Sequence, residues 1–322
     1  MQERLAAQLE LSATGDEQFV EYLYRLVLRR PVEQEARRET LARLQDGRVS
    51  RATLLAELVG SEEFVRVRAL DDSIAFAAWA RATGERPRGL SAPASVDERP
   101  IELAWTLARI RGERRLLDVG TANAEPACVA ALLALGAAEL TGVDLASTDI
   151  PGLPVVASDV RRLPFGDRAF DFVSCVSTLE HVGCDNSVYG IEDAGEGGAA
   201  EALAELRRVL RRDGSLLLTV PTGELEDGGW FLQRPPAEWL RLAQEAGLRV
   251  REHELYLHAT GGWRAVDELP AGVRYGEPGP GAGAVLCAEL VPDDRLGRLI
   301  RKRRFESERR RLQAGAGTGR AS

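Results

Sequence analysis

Two spacings of apolar residues divide the chain. Between residues 16 and 68 they recur at helical intervals: Phe19, Leu23, Leu26 and Val27 share one face of FVEYLYRLVLRR before Pro31 stops the run. A second helix is predicted over Glu33–Gln45, closed by Gly47. Ser50 supplies the N-cap of a third, and the S-E-E-F at Ser61 opens a fourth with acids in its first turn, where the helix dipole favours them. Four short helices bury little, so this module, residues 10–70, is expected to lean on a protein partner or on the rest of the chain. Residues 71–100 are expected to form a linker or cover segment, because 84–100 are rich in Gly, Pro, Ser and charge.

From residue 101 the pattern changes to strand alternating with helix. Strands are predicted at Arg115–Val119, Leu140–Leu145, Val155–Val160, Phe170–Val176 and Ser215–Val220, with helices at Ile101–Ile110, Pro126–Leu135 and Ala199–Leu210. Alternation of this kind gives a doubly wound α/β domain with helices on both faces of a mostly parallel sheet. Strands at Leu248–Tyr256 and Ala284–Val291 complete seven and end the domain at 292. The Gly/Pro-rich stretch Leu257–Gly283 between them reads as a loop, too long for a hairpin connection and therefore expected to be functional or disordered.

Composition narrows the class. At 44% hydrophobic and 29% charged, the chain reads as a globular protein, and the MQERLAAQLE start has no apolar signal region. Its most apolar stretch, Ala127 to Val143, is broken by Gly136 and Glu139 and is too short for a transmembrane segment. Cys128, Cys175, Cys184 and Cys287 lack metal or disulfide spacing, which favours a reducing, cytoplasmic setting. The formal charge is −8, yet nine Arg/Lys against three acids fall between Asp294 and Arg311. The acidic body is a poor surface for nucleic acid, whereas the basic tail, residues 293–322, is helical by composition up to a disordered end and could touch an anionic membrane surface or pack on the body.

In an open parallel sheet, ligands bind beyond the carboxyl ends of the strands, where strand order reverses. The first strand ends in L-L-D-V-G, with Asp118 and Gly120, and Pro126 suits the first residue of the next helix. The second ends at Asp144, a spacing from Gly120 at which an acid can accept hydrogen bonds from ribose hydroxyls. The third ends at Asp159, and the fourth runs F-D-F-V-S-C-V-S-T-L-E-H-V. A nicotinamide dehydrogenase reading lacks G-x-G-x-x-G, and neither a P-loop nor a G-x-S-x-G elbow is present.

This succession, with R-L-P-F-x-D-x-x-F-D over Arg162–Asp171, the E-L-R-R-V-L-R-x-x-G helix and L-L-L-T-V-P over Leu216–Pro221, resembles the class I S-adenosylmethionine (SAM)-dependent methyltransferases over residues 101–292, whose sheet is Rossmann-like. The resemblance implies SAM as cofactor. It assigns Asp118 and the Gly120–Ala122 loop to the methionine part, Asp144 to the ribose, Asp159 and Val160 to the adenine, and Ser177 to the floor near the sulfonium. The sequence departs from the usual G-x-G-x-G, reading Gly120-Thr121-Ala122-Asn123-Ala124. Alanine at a left-handed position would cost about 1–2 kcal/mol. The loop is therefore expected either to pass the cofactor by a slightly different path or to leave a non-catalytic scaffold. The N-terminal D-x-x-F-V-x-x-L-Y-R-x-V-L-x-R-P, with D-G-x-x-S-R and S-E-E-F further on, resembles a bacterial domain of unknown function similar to the phycobilisome-linker repeat. That resemblance implies company with glycosyltransferases and other surface-polysaccharide enzymes. Ala36-Arg37-Arg38 here replaces the glycine and tryptophan of its second helix.

Methyl transfer to a hydroxyl benefits from a base, and His181, after the fourth strand, is the candidate; its alternative role is to cap backbone groups of a turn. His253 reads as a surface residue, and His258 as a candidate for the acceptor pocket. Trp230, Trp263 and Tyr275, beside Asp185, Asn186, Tyr189, Glu192, Asp193 and Glu224, suit a glycan acceptor, though a small-metabolite acceptor fits them as well. No metal site is predicted, since the acidic residues match no ligand spacing.

Overall fold

The computed structural model describes residues 15–110, 114–187, 198–279 and 281–293. The predicted basic tail and Tyr189, Glu192 and Asp193 lie outside them. The chain forms two compact units, Met1–Asp72 and Ser73–Ser322.

The first unit holds helices α1 (Asp16–Val27), α2 (Gln34–Gln45), α3 (Arg51–Val59) and the start of α4 (Glu62–Thr83). Its core is Phe19, Val20, Leu23, Val27 and Leu28 against Leu54 and Leu55. Ser50 caps α3 by accepting from Thr53 N at 3.1 Å. Helix α4 runs on to Thr83, so residues 71–83 are helical where a linker was expected. Leu70, Ser73, Ala77 and Ala80 give it a buried stripe made mostly of small residues, a weak hydrophobic signal.

The second unit contains β1 (Ser91–Ala92), α5 (Arg99–Leu107), β2 (Arg115–Val119), α6 (Pro126–Leu133), β3 (Glu139–Asp144), β4 (Val155–Ala157) and β5 (Phe170–Val176). It continues with α7 (Ala199–Val209), β6 (Leu210–Pro221), β7 (Glu226–Asp227), β8 (Leu232–Gln233), α8 (Pro236–Glu245), β9 (Leu248–Ala259), β10 (Gly262–Val266) and β11 (Ala284–Pro292). The main sheet has the order β1-β10-β9-β11-β6-β5-β2-β3-β4. Its β4-β3-β2-β5-β6 segment is parallel. The remaining four strands join by antiparallel pairing.

Among the described residues the sheet has nine strands, where seven were expected. The additions come from segments read as linker and loop. The two residues Thr260 and Gly261 turn β9 back as β10, with Ala259 opposite Gly262, and Trp263 then pairs with Ala92 of β1. A second difference is the short β4: Asp159 ends it by accepting Arg161 N at its own side chain, 2.8 Å, which turns the chain out of the ladder.

Alternation along β6 places Leu216, Leu218 and Val220 in the core that includes Leu203, Leu206 and Val209 of α7 and Trp239 of α8. Leu217 and Thr219 face the other way, toward α5, whose Ile101 and Trp105 are fully buried. A strap over residues 86–98 is pinned to this side of the sheet. Arg86 binds Glu252 and Glu289, and Arg88 binds Glu252 at 3.0 Å. Arg109, 1% exposed, binds Glu252 at 2.7 Å while lying 3.8 Å over the Trp105 ring. Trp263 Nε1 donates to Val96 O at 3.0 Å.

Candidate active site

Strand β2 has β5 on one side and β3 on the other, so consecutive connections leave it in opposite directions and open a crevice at its carboxyl end. A cavity of about 260 Å³ lies there. Asp118, Gly120, Asp144, Asp159, Val160, Ser177 and His181 all line it, as does Asn186 of the acceptor candidates, joined by Arg99, Leu103 and Arg161, which the sequence reading did not single out. Ala122 does not line it; its backbone N–H donates to Asp144 Oδ2 at 2.9 Å.

Each strand end fixes its carboxylate differently. Asp118 is buried, with Oδ1 accepting from Ser174 Oγ at 2.6 Å and Oδ2 from Thr121 Oγ1 at 3.2 Å. Burial pushes this carboxyl up to about 6 against the pull of the two hydroxyls. Asp144 accepts backbone N–H groups at both oxygens, from Ala122 and from Ala146 at 3.0 Å, and each oxygen keeps acceptor capacity toward the cavity. Asp159 is held by the Arg161 guanidinium, with Nη2 at 2.6 Å from Oδ2. Burial opposes its charge, yet the Arg161 hydrogen bonds keep it below the usual aspartate range.

The alanines of the loop are not strained. Gly120 alone takes the left-handed conformation, at φ 85°, while Thr121–Asn123 form a 3₁₀ turn and Ala124 is extended at φ −66°. This overturns the expected cost of alanine at a left-handed position. Glycine is required at 120 for a second reason: a Cβ there would stand 2.2 Å from Thr178 Oγ1. Backbone close approach is thus kept at the one position that needs it.

The fourth strand ends in strain. Ser177 adopts φ 39°, uncommon for a residue with a Cβ. Its N–H donates to Thr219 O at 3.0 Å and to Thr219 Oγ1 at 3.3 Å, and its Oγ to Glu102 Oε1 at 2.6 Å. Four residues on, His181 places Nδ1 2.8 Å from Trp230 O and stacks on the Trp230 ring at 5.2 Å. A carbonyl only accepts, so Nδ1 carries the hydrogen and Nε2 is the basic nitrogen. Burial lowers the histidine's pKa, favouring neutral imidazole. Trp230 makes an edge contact with Tyr275 at 5.8 Å, and neither ring lines the cavity.

Two sequence candidates sit elsewhere. His258 does not line the cavity; its Nε2 pairs with Ala94 O at 2.9 Å and its ring stacks on Trp263 at 4.8 Å. Trp263 is buried in β10 as a strap anchor, not an acceptor contact. Glu98, Glu102 and Glu180 are buried beside Arg99. Burial pushes Glu180 to about 8, and burial with the Glu102 charge pushes Glu98 to about 7. The signal in the sequence was an acid inside the apolar run I-E-L-A-W. Among the described residues, no group of three or more His, Cys, Asp or Glu is placed to hold a metal ion, and no helix is long and apolar enough to cross a membrane.

Residues 117–218 match the family described as Methyltransferase domain. Residues 6–67 match a family described as a domain of unknown function (DUF4214). No curated protein matches the chain. Among solved structures, a SAM-dependent methyltransferase from Methanosarcina mazei aligns at 15% identity and TM-score 0.41, over 61% of this chain and 99% of that one. The YcgJ protein of Bacillus subtilis aligns at 17% and 0.40, over 60% and 98%. The Burkholderia thailandensis 1,6-didemethyltoxoflavin-N1-methyltransferase, with bound S-adenosylhomocysteine, aligns at 18% and 0.37, over 84% and 90%. The chain thus carries a methyltransferase domain at 117–218, preceded at 6–67 by a domain of unknown function.

Proposed function

We propose that the protein is a SAM-dependent methyltransferase of the cytoplasm that O-methylates a saccharide or saccharide-linked intermediate in cell-surface polysaccharide assembly. The observation that carries the enzyme reading is the convergence of Asp118, Asp144, Asp159 and Ser177, from the ends of four strands, on one cavity. The donor set fits the cofactor: Asp144 presents two backbone-fixed acceptor oxygens suited to ribose hydroxyls, Asp118 an acceptor suited to an ammonium, and Gly120 a backbone without a side chain in the way. SAM, when bound, supplies an activated methyl group on a sulfonium.

The chain's own part is to orient the acceptor and take its proton. His181 Nε2 is the base, kept in the right tautomer by Trp230 O. The accepted proton stays on the imidazole until the product leaves. The saccharide assignment rests on the N-terminal module, residues 10–70, whose family resemblance points to polysaccharide enzymes and which we assign to a protein partner.

Calorimetric titration with SAM and S-adenosylhomocysteine, on the wild type and Asp144→Ala, tests the cofactor site. Binding that is lost in the variant supports it, and a folded wild type that binds neither ligand sinks it. A methylation screen with nucleotide sugars and glycans against small aromatic metabolites then tests the acceptor.

A further inference from the structure

Among the described residues two arginines line the cavity, and they differ in what they hold. Arg161 is bound to Asp159, with Nε 2.9 Å and Nη2 2.6 Å from Oδ2. Arg99, the first residue of α5, donates its backbone N–H to Asp97 Oδ1 at 3.2 Å, but its guanidinium makes no hydrogen bond among the described residues. Its side chain is 33% exposed, and its ion pair, from Nη1 to Glu102 Oε2, is long at 3.5 Å. That oxygen has no hydrogen-bond partner either. A guanidinium offers five N–H donors in a fixed fork, which suits a carboxylate taking two of them side by side.

The acids around Arg99 do not use up its charge. Burial opposes that charge, and Glu102, Glu98 and Glu180 together hold the guanidinium above its usual range, so it stays a cation. Burial also pushes all three acids up, so their negative charge is the part of the balance most easily surrendered, by taking a proton. A carboxylate brought in through the cavity can therefore replace them as the partner of Arg99.

The position of Arg99 narrows the ligand group. Glu102 ties it to the Ser177 corner, since its other oxygen accepts from Ser177 Oγ at 2.6 Å. Asp118 is tied to the same strand end, accepting from Ser174 Oγ at 2.6 Å. Cys128, in the first turn of α6, lines the cavity and feels both charges: burial pushes its thiol up, Asp118 adds to the rise and Arg99 opposes it. An acid and a guanidinium at one end of a cavity complement a group that carries an ammonium and a carboxylate on one carbon.

We propose that Arg99 binds the α-carboxylate of the cofactor's methionine part, while Asp118 takes its ammonium. The inference rests on the methyltransferase reading above and adds a cofactor-binding residue that lies outside the matched stretch 117–218.

Calorimetry of the full chain with SAM and with decarboxylated SAM, which lacks only that carboxylate, tests this on the wild type and on Arg99→Gln. The wild type is expected to hold SAM about tenfold or more the tighter. The variant is expected to lose roughly ten- to hundredfold in SAM affinity, the range for hydrogen bonds to a charged group, and to hold the decarboxylated compound no less tightly than the wild type does. Equal loss for both ligands means that Arg99 only balances the buried acids, and a preference for SAM that survives the substitution means that another group reads the carboxylate; either overturns the proposal. If the variant fails to fold, equal affinities of the wild type for the two ligands still refute it. Binding of neither ligand removes the cofactor reading itself, an outcome distinct from the others.

Discussion

Asp144 lines the cavity, Glu180 lies buried beside it, and the two differ in everything that fixes a carboxyl. Asp144, at a strand end, has a backbone N–H for each oxygen. Glu180, in a short 3₁₀ turn, is buried with one oxygen unpartnered and is pushed to about 8, chiefly by burial. The first arrangement is a rigid receptor whose charge is settled before a ligand arrives. The second is a carboxyl whose charge is disfavoured by burial.

The largest effect that would sharpen this contrast is expected on chemistry. His181→Gln should lower turnover about 10²–10⁴-fold, the usual worth of a general base, while SAM affinity moves little. A parallel loss of affinity would assign His181 to the turn instead. Asp144→Ala, next in size, removes charged acceptors worth about 3 kcal/mol together, and calorimetry should show SAM affinity falling about a hundredfold. Gly120→Ala places a Cβ against Thr178 and forces a left-handed alanine costing about 1–2 kcal/mol, so its unfolding midpoint should fall together with SAM binding. If the midpoint holds, the loop is more plastic than its geometry suggests.

The smallest effect is on pH. Asp118 (about 6), Glu98 (about 7) and Glu180 (about 8) hold protons in the folded protein that an unfolded chain releases near pH 4. Between those limits the folded state binds more protons, so stability falls as pH rises. Glu252, held near 2 by Arg109 and Arg86 despite burial, acts the other way, but only below about pH 4.5. The unfolding midpoint without cofactor should therefore drop steadily from pH 5.5 to 8.5, and Glu180→Gln should flatten the upper part of that slope. A flat wild-type profile would mean that these acids are not buried as described.

The receptor half of the comparison was legible in the sequence because each carboxylate follows an apolar run, and the ends of parallel strands are where such a sheet opens. The buried acids beside it were not. Glu102 is embedded in I-E-L-A-W, a run that periodicity assigns to core, and only the fold brings it against Ser177, far along the chain. Arg161 was likewise hidden, as one of two arginines after Asp159. In the fold, β10 escaped because two glycines and a single tryptophan look like loop, whereas pairing with β9 turns that tryptophan inward. The alanines at 122 and 124 misled in the opposite direction. A glycine motif is needed only where φ is positive, and here that is one residue.

The strap over residues 86–98 also sets where the protein can be cut. The family match begins at 117, yet Glu252 and Glu289 find guanidinium partners in Arg86, and the Glu289 side chain is 2% exposed. A chain shortened to residues 101–292 would leave those acids with less counter-charge, Glu252 keeping Arg109 and Glu289 keeping Arg251, and should be the less stable for it. The region that can be recognised and the region that can stand alone are therefore different lengths of chain. Any minimal active fragment should begin before Arg86, thirty-one residues upstream of the first recognisable position.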